Sequence, residues 1–317
     1  MSLIRDLRSV LNFTVIVAGL GYFVDLFDIT LFGVVRVASL RDLGITDPPA
    51  ILSSGLLIYN SQMIGMMIGG ILWGVLGDRR GRLSVLFGSI ILYSLANLAS
   101  AFAWNVPSYA VFRFLAGVGL AGELGAAITL VSESLPKEKR GLGTTLVAAL
   151  GMLGIVAAAL IGQLLPWKMA YILGGILGLL LLAARFRIAE SALFAKAGAQ
   201  TRANPFLVFS GGRFRKYLSC ILIGIPIYFT TGILFTFAPE LTTGLGVRGT
   251  VTAGNAILFG SFGLTLGDIL AGLLSQWLGS RRRAIALSLV AGYSLMLVYC
   301  FVTGLSSQTI YLLSFLI

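Results

Sequence analysis

The sequence predicts an all-α integral membrane protein built of two six-helix bundles, the second incomplete in this chain. Three observations carry the helical membrane assignment; a polar linker and an internal repeat carry the division into bundles. First, long stretches hold no charged side chain: Ile51 to Trp73 is one and Leu83 to Phe112 is another. Each is long enough to cross a hydrocarbon core about 30 Å thick, which takes ~20 helical residues. Second, only 11% of residues are charged while 57% are hydrophobic, and the mean hydropathy is +0.97. An ordinary soluble domain carries roughly 25% charged residues. Third, the 40 glycines suit close packing of helices through small residues, as lipid favours.

Taken in order, the apolar runs place nine spans near 12–36, 52–76, 84–104, 107–132, 142–165, 168–187, 216–238, 252–277 and 284–304, with another starting near Ser307. Orientation follows from the basic residues. One side collects Arg5 and Arg8; Arg79, Arg80 and Arg82; Lys137, Lys139 and Arg140; the cluster from Arg185 to Lys216; and Arg281 to Arg283. The other side has Arg36, Arg41, Lys168 and Arg248. That bias puts the N-terminus on the cytoplasmic side of the membrane. Arg5 and Arg8 lead directly into a full-length span with no small-residue cleavage site, so the first helix reads as retained.

The net charge of +11 does not indicate nucleic acid, because the basic residues sit in short loops where they serve topology and anionic headgroups. Cys220 and Cys300 fall within apolar spans, where a disulfide framework is not expected. With no histidine in the chain, a histidine metal site or proton relay is excluded. No Ser/His, Cys/His or metal-spaced cluster and no nucleotide-binding loop is present, so no enzyme, cofactor or metal is expected.

The polar stretch 188–215, with Asn204, Pro205 and Gly211-Gly212, divides a bundle over 1–187 from one over 216–317. Gly65, Gly69, Gly74, Leu76 and Gly81 recur at one constant offset as Gly263, Gly267, Gly272, Leu274 and Gly279. This reads as parallel repetition of two halves. In the second copy Gln276 stands where Asp78 would fall, and Arg281 to Arg283 keep the positive charge. In that register Ile317 aligns with Gly119, so the second half stops within its fourth helix.

Between the second and third spans lies Gly74-Val75-Leu76-Gly77-Asp78-Arg79-Arg80-Gly81-Arg82. Its wording, G-x-x-x-D-R-x-G-R, resembles the loop signature of major facilitator superfamily (MFS) transporters. R-x-x-x-G-x-G, at Arg113, Gly117 and Gly119, resembles the fourth-helix motif of MFS proton symporters. Ser132-Glu133 through Pro136 to Arg140-Gly141 resembles the S-E-x-x-P-x-x-x-R-G of the sugar-porter and metabolite–proton symporter branches. The resemblance covers essentially the whole chain and is weaker in the second half. After the sixth span, sugar porters carry P-E-S-P-R, whereas this chain has Ala189-Glu190-Ser191-Ala192, which speaks against a sugar specifically.

The first span holds Asp25 and Asp28, and carboxylates inside a span are functional candidates by default. Three residues apart, they share a helix face. Two close carboxylates in low dielectric do not comfortably both ionise, which is the physics a proton-coupled carrier uses. Either could instead pair structurally with a cation. The fourth span supplies Arg113, and Glu123 follows within it. By resemblance, Asp25 or Asp28 accepts the proton and Arg113 is the exchanging partner; Asp28 is favoured because it lies deeper in the span. Resemblance also makes Asp78, Arg82, Glu133, Arg140 and Glu190 a cytoplasmic gate. Cavity candidates are Tyr22, Asn60, Gln62, Glu123, Tyr228 and Asp268, followed by Thr230, Thr231 and Glu240.

What the resemblance implies is a monomeric secondary active transporter that moves a small polar or anionic metabolite by alternating access, coupled to protons. Its partners are then a small-molecule solute, protons and the lipid bilayer. A proton-independent uniporter or efflux carrier on the same scaffold competes, as does a transport-dead truncated remnant or a membrane receptor.

Overall fold

A computed structural model describes residues 13–80, 82–122, 131, 135–136, 140–189 and 213–317. The described chain is almost wholly helical. Its helices are α1 (Phe13–Asp42), α2 (Pro48–Arg80), α3 (Arg82–Ala101), α4 (Val106–Leu120), α5 (Arg140–Leu164) and α6 (Trp167–Ala189). After residues 190–212, which lie outside the described set, come α7 (Arg213–Tyr228), a π-helical turn (Phe229–Phe235), α8 (Ala238–Gly244), α9 (Ala253–Trp277), α10 (Arg281–Phe301) and α11 (Ser307–Leu316). Six described helices are long and apolar enough to cross a membrane, and shorter apolar helices lie at Phe87–Ala101, Val106–Leu120 and Ala253–Gly267.

Four boundaries differ from expectation. The first span was expected to end at Arg36, yet α1 runs on to Asp42. Arg36 can stay inside the helix because a carboxylate meets it there. Second, the charged turn at 74–82 is helical up to Arg80 and again from Arg82, so helix replaces the expected loop on both sides of Gly81. Third, α4 ends at Leu120 with Ala121 capping, short of the expected 132; residues 123–130 lie outside the described set. Finally, the expected span 216–238 is broken into three pieces. Pro226 sits inside α7, where its missing N–H and bulky ring unsettle the backbone ladder, and the π-helical turn follows at once.

Packing relies on small residues. A Cβ at Gly65 would strike the Phe114 carbonyl, one at Gly69 that of Val118, and one at Gly117 that of Gln62, so α2 and α4 touch backbone to backbone. In the second half a Cβ at Gly263 would strike the Phe315 carbonyl, which pairs α9 with α11 in the same way. Large apolar side chains such as Met67 (64% exposed), Leu164 (78%) and Trp277 (83%) point outward, as a lipid-facing surface requires.

Of four apolar clusters among the described residues, two organise the interior on the side where the halves meet. One gathers Phe27, Leu31, Phe32, Tyr109, Trp167 and Tyr171 from the first half. The other joins Leu234, Phe235, Ala256, Ile257 and Ile310 of the second half to Ala159 of α5. The halves therefore meet along α1, α5 and α9, with α2 adding a contact at Tyr59. Their described contacts include Gly33 on Thr236 and Ile257, and Gly254 on Gln163. Both lie toward the end away from Asp78 and Arg82.

Candidate functional site

The innermost polar cluster is assembled from four helices of the first half. Arg113 of α4 is fully buried. Its Nη1 lies 3.4 Å from Asp28 Oδ1 of α1, also fully buried. Nε donates to Ser100 Oγ of α3 at 3.2 Å, and Nη2 donates to Asn97 Oδ1 of the same helix. The guanidinium carbon lies 4.7 Å from the ring centroid of Tyr171 on α6, a cation–π contact. Tyr171 and Tyr109 share a 2.7 Å hydroxyl–hydroxyl hydrogen bond. An arginine buried in an apolar bundle must be neutralised, and here one carboxylate, two neutral acceptors and a ring do so together.

Local sequence explains the convergence. Asn97 and Ser100 lie one helical turn apart on α3 and present acceptors on one face. Asn105 caps α4 by accepting from Ser108 N at 2.8 Å, which fixes where the helix begins and hence where Arg113 points. Asp28 uses Oδ1 for Arg113, whereas its Oδ2 has no hydrogen-bond partner.

Between the two expected carboxylates, Asp28 reaches Arg113. Asp25 is also buried, at 3% exposure. Gln62 of α2 is fully buried with neither amide atom hydrogen-bonded, whereas Asn60 is exposed. Successive helical residues turn by about 100°, so the run Tyr59 to Gln62 spreads around α2 and does not form one patch. Tyr22 is half-buried, with its ring seated where a Cβ on Gly151 would fall. Tyr228 is 73% exposed. The Tyr59 hydroxyl approaches Gly232 of the π-helical turn, and the Tyr59 ring meets Phe237 edge-on at 5.9 Å, so α2 touches the second half here.

Arg140 is exposed and its Nε donates to the Leu135 carbonyl at 3.2 Å. Of the other expected gate residues, Glu133 and Glu190 lie outside the described residues, as do the side chains of Asp78 and Arg82. Glu123 and the side chain of Asp268, a residue of α9, also lie outside them. Among the described residues no cluster of three or more potential metal ligands occurs.

The sequence reading missed Asn97, Ser100, Tyr109 and Tyr171. A signal for the first two was available: polar residues one turn apart in a run without charge. It also places Arg36 at the end of the first span, with no partner. Arg36 instead forms a second buried pair, with Glu240 of α8, at 2.7 Å.

Known proteins resemble this chain in sequence and in fold. The niacin transporter NiaP of Acinetobacter baylyi is 37% identical over 164 residues, covering 50% of this chain and 36% of that protein. The 3-(3-hydroxy-phenyl)propionate transporter of Escherichia coli is 29% identical over 267 residues, covering 78% of this chain and 65% of that protein. The chain thus spans between about a third and two thirds of the length of these relatives, which are transporters and not enzymes. A D-xylose–proton symporter of known structure superposes with a TM-score of 0.63 at 18% identity, over 95% of this chain and 76% of that one, a likeness of fold. The sequence profile described as Major Facilitator Superfamily matches residues 18–317, from the first turns of α1 to the last residue. By that match, this membrane-spanning chain belongs to the Major Facilitator Superfamily.

Proposed function

We propose that the protein is a secondary active transporter that carries a small aromatic carboxylate across the inner membrane by alternating access, coupled to protons. The observation that carries this reading is the fully buried Asp28–Arg113 pair, held among neutral partners in the middle of a membrane bundle. Charges so placed are costly to keep without a task. Arg113 has Asn97, Ser100 and the Tyr171 ring to hold it when Asp28 is neutralised. Asp28 has a carboxylate oxygen without a partner that a proton can occupy. Protonation then loosens one ion pair without leaving Arg113 bare, and the change in partners is what couples proton binding to conformation.

The solute class draws on the relatives: niacin and 3-(3-hydroxyphenyl)propionate are both aromatic monocarboxylates. In this reading Tyr22, Tyr59 and Tyr228 line the cavity, with side chains suited to an aromatic ring and its polar substituents, and the buried amide of Gln62 is a further member. Glu123 and Asp268 are further members of that cavity in this reading. The N-terminus and the 188–215 linker face the cytoplasm, 1–187 and 216–317 rock against one another, and Asp78, Arg82, Glu133, Arg140 and Glu190 hold the cytoplasmic mouth.

The test is reconstitution in proteoliposomes with labelled benzoate and nicotinate, with and without an inward proton gradient. Wild-type protein should accumulate one of them against its gradient. Asp28→Asn should abolish that accumulation yet retain exchange of internal for external solute, which moves no net proton. Accumulation by an Asp25→Asn/Asp28→Asn double variant would refute the proton coupling. Flux indifferent to pH would point to a uniporter.

A further inference from the structure

Arg36 and Glu240 are separated by more than 200 positions in sequence and belong to different halves of the fold. Arg36 Nη1 lies 2.7 Å from Glu240 Oε1 in an ion-pair contact, and Nη2 donates a charge-assisted hydrogen bond to Oε2 at 2.7 Å. Nη2 also lies 3.3 Å from the Thr236 carbonyl, and the guanidinium carbon stands 4.4 Å from the centroid of the Phe237 ring. Every one of these guanidinium partners belongs to the second half. What the first half supplies is room: a Cβ at Gly55 would come within 2.7 Å of Arg36 Cδ, so the arginine stem lies flat on α2.

The two members are unequally enclosed. The Arg36 side chain is fully buried, whereas the Glu240 side chain is 19% exposed and lines a cavity of about 320 Å³ together with Leu52, Phe237 and Tyr299. Removing one partner from a buried pair leaves a bare charge, which is why such pairs are poor adhesives but effective two-state devices. If the halves separate at this end, water reaches both groups as they part, so the cost of separation is met by hydration. If they stay together, the pair is dry and short.

We infer that Arg36 and Glu240 are the latch of the mouth opposite the Asp78–Arg82 turn, an inter-half ion pair that closes that mouth and has to break in each cycle. The inference rests on the alternating-access reading, but its test reads exposure and not flux, so a chain that moved no solute would still answer it. In a full-length background with Cys220→Ser and Cys300→Ser, Ile257→Cys places a thiol in the joint that this latch closes, where Ile257 is 5% exposed and faces Gly33. Tyr228→Cys, at a 73% exposed site, reports separately.

A membrane-impermeant maleimide is applied to each face in oriented vesicles. Glu240→Gln should raise labelling at Ile257→Cys roughly fivefold or more, in the range of ordinary coupled switches, and lower it at Tyr228→Cys. Reversing both charges, with Arg36→Glu and Glu240→Arg, should bring both rates back toward the parent. Unchanged labelling in Glu240→Gln overturns the latch, as does a rise at both reporters, which would mean general loosening. A charge-reversed pair that labels like Glu240→Gln overturns it too. Should the reversed pair fail to reach the membrane, Glu240→Gln with its two reporters decides alone.

Discussion

The molecule buries two arginines against carboxylates, and the two pairs are built on opposite plans. Arg113 draws its partners from α1, α3 and α6, all within one bundle, and its carboxylate stands off at 3.4 Å with no exposure on either side. Arg36 draws its guanidinium partners from the opposite half, at 2.7 Å, onto a carboxylate that water can reach. Moving the halves as rigid bodies would leave the first pair intact and sever the second. The lesson is that burial alone does not say what an ion pair does; the ownership of its partners does. A pair within one body answers to chemistry, such as a proton, and a pair between bodies answers to motion.

That contrast can be broken most forcefully at Arg113. Arg113→Ala leaves Asp28 uncompensated in a dry bundle and should cost about 3–5 kcal/mol of stability. Thermal unfolding in detergent, compared with Arg113→Ala/Asp28→Asn, checks the number: the double variant should recover a good part of the loss. If it recovers nothing, the pair is not the source of the cost.

A smaller effect is expected where the first bundle is held rigid. Gly117→Val would drive a branched side chain into the Gln62 carbonyl, and overpacking of this kind costs ~1–3 kcal/mol. Melting of that variant near the wild-type temperature would mean that α2 and α4 give way, and the rigid-body contrast would weaken.

The smallest effect sharpens the comparison from outside. Lys168 and Asp42 form an ion pair at 3.2 Å with both side chains about half exposed. Solvent screens such a pair, so Lys168→Ala should leave both the melting temperature and the labelling of Ile257→Cys unchanged. A change in either would mean that pairing at this end matters whatever the burial.

Much of the fold was legible because lipid imposes simple demands. Uncharged runs of spanning length, a basic bias to one side and glycines at a repeated spacing follow from the medium, so α1 to α6 and the family resemblance could be read from letters. Asp28 and Arg113 were legible for the same reason, being charges where none are cheap. Their neutral companions were not. Asn97, Ser100 and Tyr171 carry no charge, and one helix of polar side chains looks like another until the bundle closes. The Arg36–Glu240 pair was illegible for a different reason: the sequence separates its members by two thirds of its length, and Arg36 looks like a charge at the end of a span. The turn at Asp78 was read as loop because charge and glycine suggest one, although arginine is itself a good helix former.

The π-helical turn at Phe229–Phe235 has a consequence in angular phase. A wide turn accommodates one residue more than an α-helical turn, and each residue advances the helix face by about 100°. The segment beyond it is therefore rotated relative to the face that α7 alone would dictate. Glu240 lies beyond that offset and beyond the non-helical Phe237, so its facing depends on both. In this sense the turn acts as an insertion absorbed without a loop: deleting one residue from Phe229–Phe235 would keep Glu240 yet change the direction in which its carboxylate points.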